Sequence, residues 1–367
     1  MITDILTAIA VVLNGIPQGI LALSFGFAAL PTSIAFLIGI VGSLAFNSVA
    51  TISFQAETIT LAGTMGNDIR ERLSLVFWGA VFLLIPSLLG LNEAIVEFIG
   101  PIIVTSMMAG VGIMLAYVSV ELLRSEKYSG MVSMASALAV WFVTKDLAKT
   151  IIISVIVSTV AYNFLKRYPT LVKDEPVADL ANERFRFGNI EWKFWTNRRV
   201  LLGALALACL NIGANISFGK ITGSIAGAET NIDHLAIYSS LADIGSTLFG
   251  GGPVEAIISG TATAPRPLLS SVLMMGIMAA ILLFKLLPTI GRYVHRSSIA
   301  GFLFILGTFV TFATNIQGAL AMAPEFAGPF GFSPWGMVIG STVLVSARWN
   351  PFYGLVAGLA IKVVFGL

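Results

Sequence analysis

The sequence predicts an all-α polytopic membrane protein, a seven-plus-seven inverted-repeat transporter with 14 transmembrane segments. Segments 3 and 10 are expected to be interrupted half-helices. Three observations lead there. Of the 367 residues, 57% are hydrophobic and 11% charged, with a mean hydropathy of +0.92, whereas a soluble domain carries roughly a quarter charged residues. Apolar stretches follow one another along nearly the whole chain, most of them near the roughly 20 residues that a helix needs to cross a bilayer. The two halves also repeat the same landmarks in the same order.

The same composition excludes several classes of function. A net charge of +2, from 21 basic and 19 acidic residues, offers no polyelectrolyte surface, so no nucleic-acid partner is expected. One cysteine, Cys209, rules out a disulfide framework, and two histidines leave little for a zinc site. No Ser/His/Asp, metal-ligand or nucleotide motif appears. The run Gly250, Gly251, Gly252 is not a phosphate loop, because no Gly-Lys-Ser/Thr follows it. The expectation is therefore a multi-pass integral membrane protein of a bacterial cytoplasmic membrane, not an enzyme, with no cofactor or metal.

The opening MITDILTAIAVVLNGIPQGILALSFGF lacks a basic leader and a small-residue cleavage site, so it reads as a first span rather than a signal peptide. The first half places spans at about 5–25, 30–48, 52–64, 73–91, 101–122, 130–144 and 147–165. The second half places them at about 200–222, 234–248, 253–265, 268–290, 297–318, 334–347 and 351–366. LNEAIVEFIG, Leu91 to Gly100, is too short and acidic to cross and reads as an interfacial amphipathic piece. The one long polar stretch runs from Lys166 to Arg199. Pro169, Pro176 and the aromatics Phe185, Phe187, Trp192, Phe194 and Trp195 mark it as a partly ordered connector lying on the membrane. This divides the chain into a first repeat, 1–165, a connector, 166–199, and a second repeat, 200–367.

Four matches support the duplication. VLNGIPQGILALSFG around Asn14 parallels CLNIGANISFGKITG around Asn211, and FQAETITLAG around Glu57 parallels GPVEAIISGTA around Glu255. MMAGVGIML parallels SIAGFLFIL, and MVSMASALAV parallels MVIGSTVLVS. An odd number of spans per repeat turns the second copy upside down, an arrangement that commonly places the substrate site at the midplane between discontinuous helices.

Segments 3 and 10 are the interrupted ones. SVATISFQAETITLAGTMG has too few apolar residues for a straight span. In STLFGGGPVEAIISGTATAPRP a proline follows three glycines, which predicts a helix starting near Pro253 inside the membrane. Two half-helix N-termini facing one cavity would offer unpaired N–H groups and positive dipole ends. Glu57 and Glu255 are the carboxylates embedded there. An acid at that depth is a functional candidate by default, so both are expected to bind substrate or to couple transport to protons. Spans 1 and 8 add Asn14, Gln18, Asn211, Asn215 and Ser217, whose amides and hydroxyl can read a polar ligand without a charge penalty. Asp243 reads as a structural cap or a loop charge, His234 and His295 as interfacial, and Lys285 as snorkelling.

SLADIGSTLFGGGPVEAIISGTA resembles the tenth-span region of nucleobase/ascorbate permeases, where Phe-Gly-Gly-Pro precedes the half-helix, and TISFQAE resembles their third segment. The resemblance implies a core domain from spans 1–4 and 8–11 and a gate domain from spans 5–7 and 12–14. It further implies a secondary transporter carrying a nucleobase by alternating access, a purine such as guanine, hypoxanthine or xanthine. H+ is the implied coupling ion and Na+ its alternative, and the protein is implied to be a homodimer in the lipid bilayer. Phe54, Gln55, Val254, Glu255 and Ala256 would line the ligand. Two departures stand out: Asn215 occupies the place of that family's span-8 acid, and Ser259 the place of its tenth-segment acid. The alternative is an anion transporter of the sulfate permease family. IPQGILALSFGF resembles that family's first span, although Glu57 and Glu255 would repel an anion. A channel or orphan scaffold is the third reading. Orientation is contested: most basic residues fall in loops that the positive-inside rule would place in the cytoplasm, with both termini outside, while the resemblance implies both termini inside.

Overall fold

The computed structural model describes residues 1–167, 183–324 and 333–367. In the first half, α1 (Ile2–Ser24) and α2 (Ala29–Ala45) lead to a two-residue strand, β1 (Ile52–Ser53), and the half-helix α3 (Ala56–Met65). Then come α4 (Ile69–Leu88), the short α5 (Asn92–Ile99), α6 (Pro101–Ser125), α7 (Lys127–Thr144) and α8 (Leu147–Leu165).

The second half opens with α9 (Arg198–Ala214), a wide π-turn (Asn215–Gly219) and α10 (Lys220–Ala226), which together make one span. Next are α11 (Ile232–Leu248), β2 (Glu255–Ala256), a 3-10 turn (Gly260–Thr263), α12 (Pro267–Leu283) and the short α13 (Leu286–Gly291). The last spans are α14 (Ala300–Ile305) continuing through a π-segment (Leu306–Phe312) into α15 (Ala313–Met322), then α16 (Pro334–Arg348) and α17 (Pro351–Val364). Among the described residues, six stretches are long and apolar enough to cross a bilayer: Ile2–Ser24, Ile69–Leu88, Pro101–Ser125, Leu147–Leu165, Arg198–Ala226 and Arg296–Met322. The amphipathic piece expected at Leu91 to Gly100 is α5, and α13 takes the same place in the second half.

The helices sort into two bodies. α1, α2, α4, α9, α11 and α12 pack on one another as the core, and α6, α7, α8 and α14 to α17 as the gate. In the gate, α6 and the π-segment cross with almost no space between backbones. A Cβ at Gly112 would lie 2.6 Å from Gly307 O, and one at Gly307 would lie 2.7 Å from Gly112 O. Only glycine permits that approach.

β1 and β2 meet as an antiparallel pair, Ile52 opposite Ala256 and Ser53 opposite Glu255, extended by Ile257 N donating to Thr51 O at 3.1 Å. The helix expected from Pro253 does not form. Pro253 and Val254 are non-helical, β2 follows, and only the 3-10 turn stands where a half-helix would be. The reason lies in Asp243. Its buried Oδ1 accepts from Val254 N at 2.7 Å and holds the segment straight for pairing. The presumed match of Glu57 with Glu255 fails with it. β1 follows α2 at the same spacing as β2 follows α11, so Glu255 is the counterpart of Ile52, while Glu57 belongs to the first turn of α3.

Of the connector, Pro169 and Pro176 lie outside the described residues. Its later part is stitched onto the core. Glu183, 4% exposed, accepts from Ala29 N at 3.1 Å and Leu30 N at 2.8 Å, capping α2. Arg186 N and Gly188 N donate to Phe249 O and Leu248 O at the end of α11, and Trp78 Nε1 of α4 donates to Glu191 O at 3.0 Å. Glu183→Ala strips the start of α2 of both acceptor contacts. It should destabilise the purified protein by about 1 kcal/mol, the usual worth of a cap, read as a lower Tm; an unchanged Tm would show that the cap carries no weight.

Candidate functional site

Between core and gate lies a cavity of about 190 Å³. Its polar lining is Asn14 and Gln18 of α1, Gln55, Glu57, Ser217 of the π-turn, and Thr311, Thr314 and Asn315 on the gate side. Phe218, Ile221, Ile257, Ile258, Leu147, Leu306 and Val310 supply its apolar wall. A larger space of about 450 Å³ between α1, α8 and α13 is lined almost wholly by apolar side chains such as Leu13, Ile20, Val155 and Val294. A ligand site needs a few convergent polar groups in an apolar frame. The smaller cavity meets that condition and the larger one does not.

The polar groups are positioned from the strand pair outward. Beyond β1 the chain stays extended to Gln55, whose Nε2 donates to Ala256 O at 3.2 Å, tying the start of α3 to β2. Gln18 Oε1 accepts from Ala56 N at 3.0 Å, which satisfies one of the free N–H groups of the half-helix. Glu57 then falls in the first turn of α3, where an acid is favoured by the positive end of the helix. It is 3% exposed, and its Oε1 accepts from Thr311 Oγ1 of the gate at 3.0 Å. This bond joins the two bodies across the cavity. Asn315 Nδ2 donates to Thr311 O at 2.7 Å and braces that turn. Asn14 Oδ1 has no hydrogen-bond partner among the described residues and borders the same space.

Of the residues expected at a ligand, Asn14, Gln18, Gln55, Glu57 and Ser217 meet at this cavity, and the other seven do not. Phe54 turns into the core, edge-on to Phe36 at 5.5 Å between ring centroids. Val254, Glu255 and Ala256 are buried in or beside β2, whose hydrogen bonds hold their backbone away from the cavity; Ile257 and Ile258 face it instead. Asn211 is drawn into side-chain contacts with Glu255 and Thr58. Asn215 is fully buried in the wide turn. Ser259 caps the 3-10 turn, its Oγ accepting from Thr261 N at 3.2 Å. The gate residues Thr311, Thr314 and Asn315 were missed. They form a polar stripe at helical spacing in an apolar span, a readable signal, but the π-segment that turns Thr311 toward Glu57 leaves no trace in the sequence.

No family model and no curated protein matches this chain. Solved structures do. The transmembrane domain of a cyanobacterium bicarbonate transporter, BicA, matches with a TM-score of 0.66 at 14% identity, covering 97% of each chain. SLC26A9 matches with a TM-score of 0.72 at 13% identity over 100% of this chain and 65% of its own. The murine Slc26a9 anion transporter in the inward-facing state matches with a TM-score of 0.67 at 13% identity, covering 99% of this chain and 68% of its own. The chain shares the fold of these anion transporters. That overturns the nucleobase/ascorbate permease resemblance and, with it, the nucleobase reading. The motifs behind the resemblance serve the scaffold: the Ser-Phe pair closes the core around β1, and the glycine run packs against Thr32, with Gly252 N donating to Thr32 Oγ1 at 2.8 Å.

Thr311→Val removes the donor that joins gate to core. Expected results are a modestly lower Tm, since a hydrogen bond is worth roughly 0.5–1.5 kcal/mol, and faster thiol labelling of Ser217→Cys in a Cys209→Ala background. Equal labelling rates with and without Thr311 would show that the contact does not close the cavity.

Proposed function

We propose that the chain is a secondary active transporter of a small oxyanion, carried by alternating access, and that Glu57 couples it to protons. The observation that carries the reading is the cavity between two separately packed bodies, set at the N-terminal end of α3, in a chain with the fold of bicarbonate and other anion transporters. Movement of the core past the gate would expose the cavity to one side of the membrane and then to the other. About 190 Å³ suits a bicarbonate, a sulfate or a short carboxylate. No basic side chain is among the lining residues, so an anion would be held by the N–H groups and dipole of α3 and by the amides and hydroxyls of Gln18, Asn14, Gln55 and Ser217.

Glu57 gives this site its coupling logic. Ionised, its carboxylate occupies the positive end of α3 and repels a second anion. Protonated, it vacates that role and presents an O–H donor. Anion and proton would therefore load together, and the pair would cross without net charge for a monoanion. Na+ remains the alternative coupling ion, and pairing of two copies is part of the same proposal, to be read from the mass of the purified protein in detergent. The chain would then act as a carrier and not as an enzyme.

The test is uptake of labelled bicarbonate, sulfate and acetate into proteoliposomes, with and without an inward proton gradient. Saturable uptake accelerated by the gradient is expected. Glu57→Gln should bind the anion but lose the acceleration, by tenfold or more if coupling runs through this carboxyl. Uptake indifferent to the gradient, or a Glu57→Gln variant still driven by it, rejects the coupling. Linear, non-saturating flux without counterflow rejects a carrier in favour of a channel.

A further inference from the structure

Behind the cavity, in the heart of the core, two acids meet. Asp243 of α11 is 0% exposed and Glu255 of β2 is 1% exposed, and they lie side by side, because Asp243 holds the N–H of Val254, the residue just before Glu255. Each has one oxygen supplied with a donor: Asp243 Oδ1 takes Val254 N, and Glu255 Oε1 takes Asn211 Nδ2. The other two oxygens, Asp243 Oδ2 and Glu255 Oε2, have no donor among the described residues. No lysine, arginine or histidine among those residues is bonded to either acid.

Two neighbouring carboxylates cannot both stay ionised in a buried, low-dielectric place; one proton between them supplies a missing donor and halves the charge. We propose that Asp243 and Glu255 form a binding site for a single proton, separate from the substrate cavity, and that this proton holds β2 against α11. A second observation points to the same place. The π-turn packs against both α11 and β2, and its Asn215, fully buried, has neither Oδ1 nor Nδ2 partnered among the described residues.

The site is wired to the cavity. Glu255 contacts Asn211; Thr58 Oγ1 lies 3.1 Å from Asn211 Oδ1 and also within reach of Gln55 Oε1; Gln55 lines the cavity. The single Thr58 proton serves one acceptor at a time, which makes this chain responsive to the charge on Glu255. β2 also runs directly into Ile257 and Ile258 of the cavity wall. Loss of the shared proton sets two negative charges against each other and pushes β2 from α11. The other titratable groups on the packed elements do not touch the pair. Tyr238 of α11 donates to Ala50 O and Glu57 of α3 accepts from Thr311. Cys209 is the remaining one on the body of α9, Lys220 of α10 pairs with Glu93, and α2 and β1 bring none. The charged residues of α4 and α9 sit at their first turns, as do Asp233 and His234 of α11.

The test needs neither substrate nor transport, so it can fail or succeed independently of the proposed carrier function. Infrared spectra of the purified full chain carrying Glu57→Gln, which removes the carboxyl at the cavity, should show a protonated-carboxyl C=O band at neutral pH that shifts in heavy water. Adding Glu255→Gln, or Asp243→Asn, should abolish the band, because the amide then supplies the donor permanently. The same amide variants should hold a constant Tm as the pH is raised, where the chain with both acids loses stability. A band that is absent from the Glu57→Gln chain, or that survives both further substitutions, overturns the proposal, as does an Asp243→Asn chain with the same alkaline loss of stability as its parent.

Discussion

Everything at the centre of this molecule depends on backbone that is not helical yet lies at membrane depth. In hydrocarbon an unpaired N–H or C=O carries a penalty of several kcal/mol, and non-helical backbone survives only where protein satisfies it. Here each half of the chain contributes one extended piece, and the two satisfy each other: Ile52 pairs with Ala256 and Ser53 with Glu255. That bond pattern makes the halves one body. It also sets where α3 begins, because Gln55 is tied to Ala256 and the freed N–H of Ala56 is tied to Gln18.

The repeats are alike in plan and unlike at their centre. The first half has a ten-residue half-helix after its strand, while the second has a four-residue 3-10 turn capped by Ser259. The cavity accordingly has one real helix N-terminus, and its opposite wall is Ile257 and Ile258 leaving β2. Two glutamates that look like twins in sequence are divided by this asymmetry. Glu57 faces the cavity and reaches across to Thr311, whereas Glu255 is turned into the core toward Asp243 and Asn211. Asp243, which reads in sequence as a cap or a loop charge, holds Val254 N, and its second oxygen is buried without a partner among the described residues.

The correction of the expected substrate has a physical basis. Gly250 adopts a left-handed φ of 95°, and the loop it opens runs within hydrogen-bond reach of the start of α2 and of Thr32. Any chain of this architecture must solve the same turn, so a Phe-Gly-Gly-Gly-Pro run reports the architecture and not the cargo. The residues that would choose a cargo are instead amides and hydroxyls spread over α1, the π-turn and α15, with no local motif to announce them. Transporters with the same fold and 13–14% identity carry anions, and their likeness speaks for the scaffold alone.

Composition and period were enough to establish a multi-pass membrane protein, most of its spans, the short amphipathic helix at Asn92–Ile99, and the doubling of the chain, because transfer into lipid depends on apolar length and little else. They also marked Asn14, Gln18, Glu57 and Ser217, since polar groups in an apolar span are conspicuous one by one, whereas Gln55 was reached only through the family likeness. Tertiary structure decided the rest. Strand pairing overrode the helix expected from Pro253, because satisfying backbone in the membrane outweighs the local preference for starting a helix at proline. The widened π-segment brought Thr311 to Glu57, and packing of α11 on β2 brought Asp243 to Glu255. Each of these contacts joins residues far apart in the chain, and no periodicity or local spacing carries the information that they will touch.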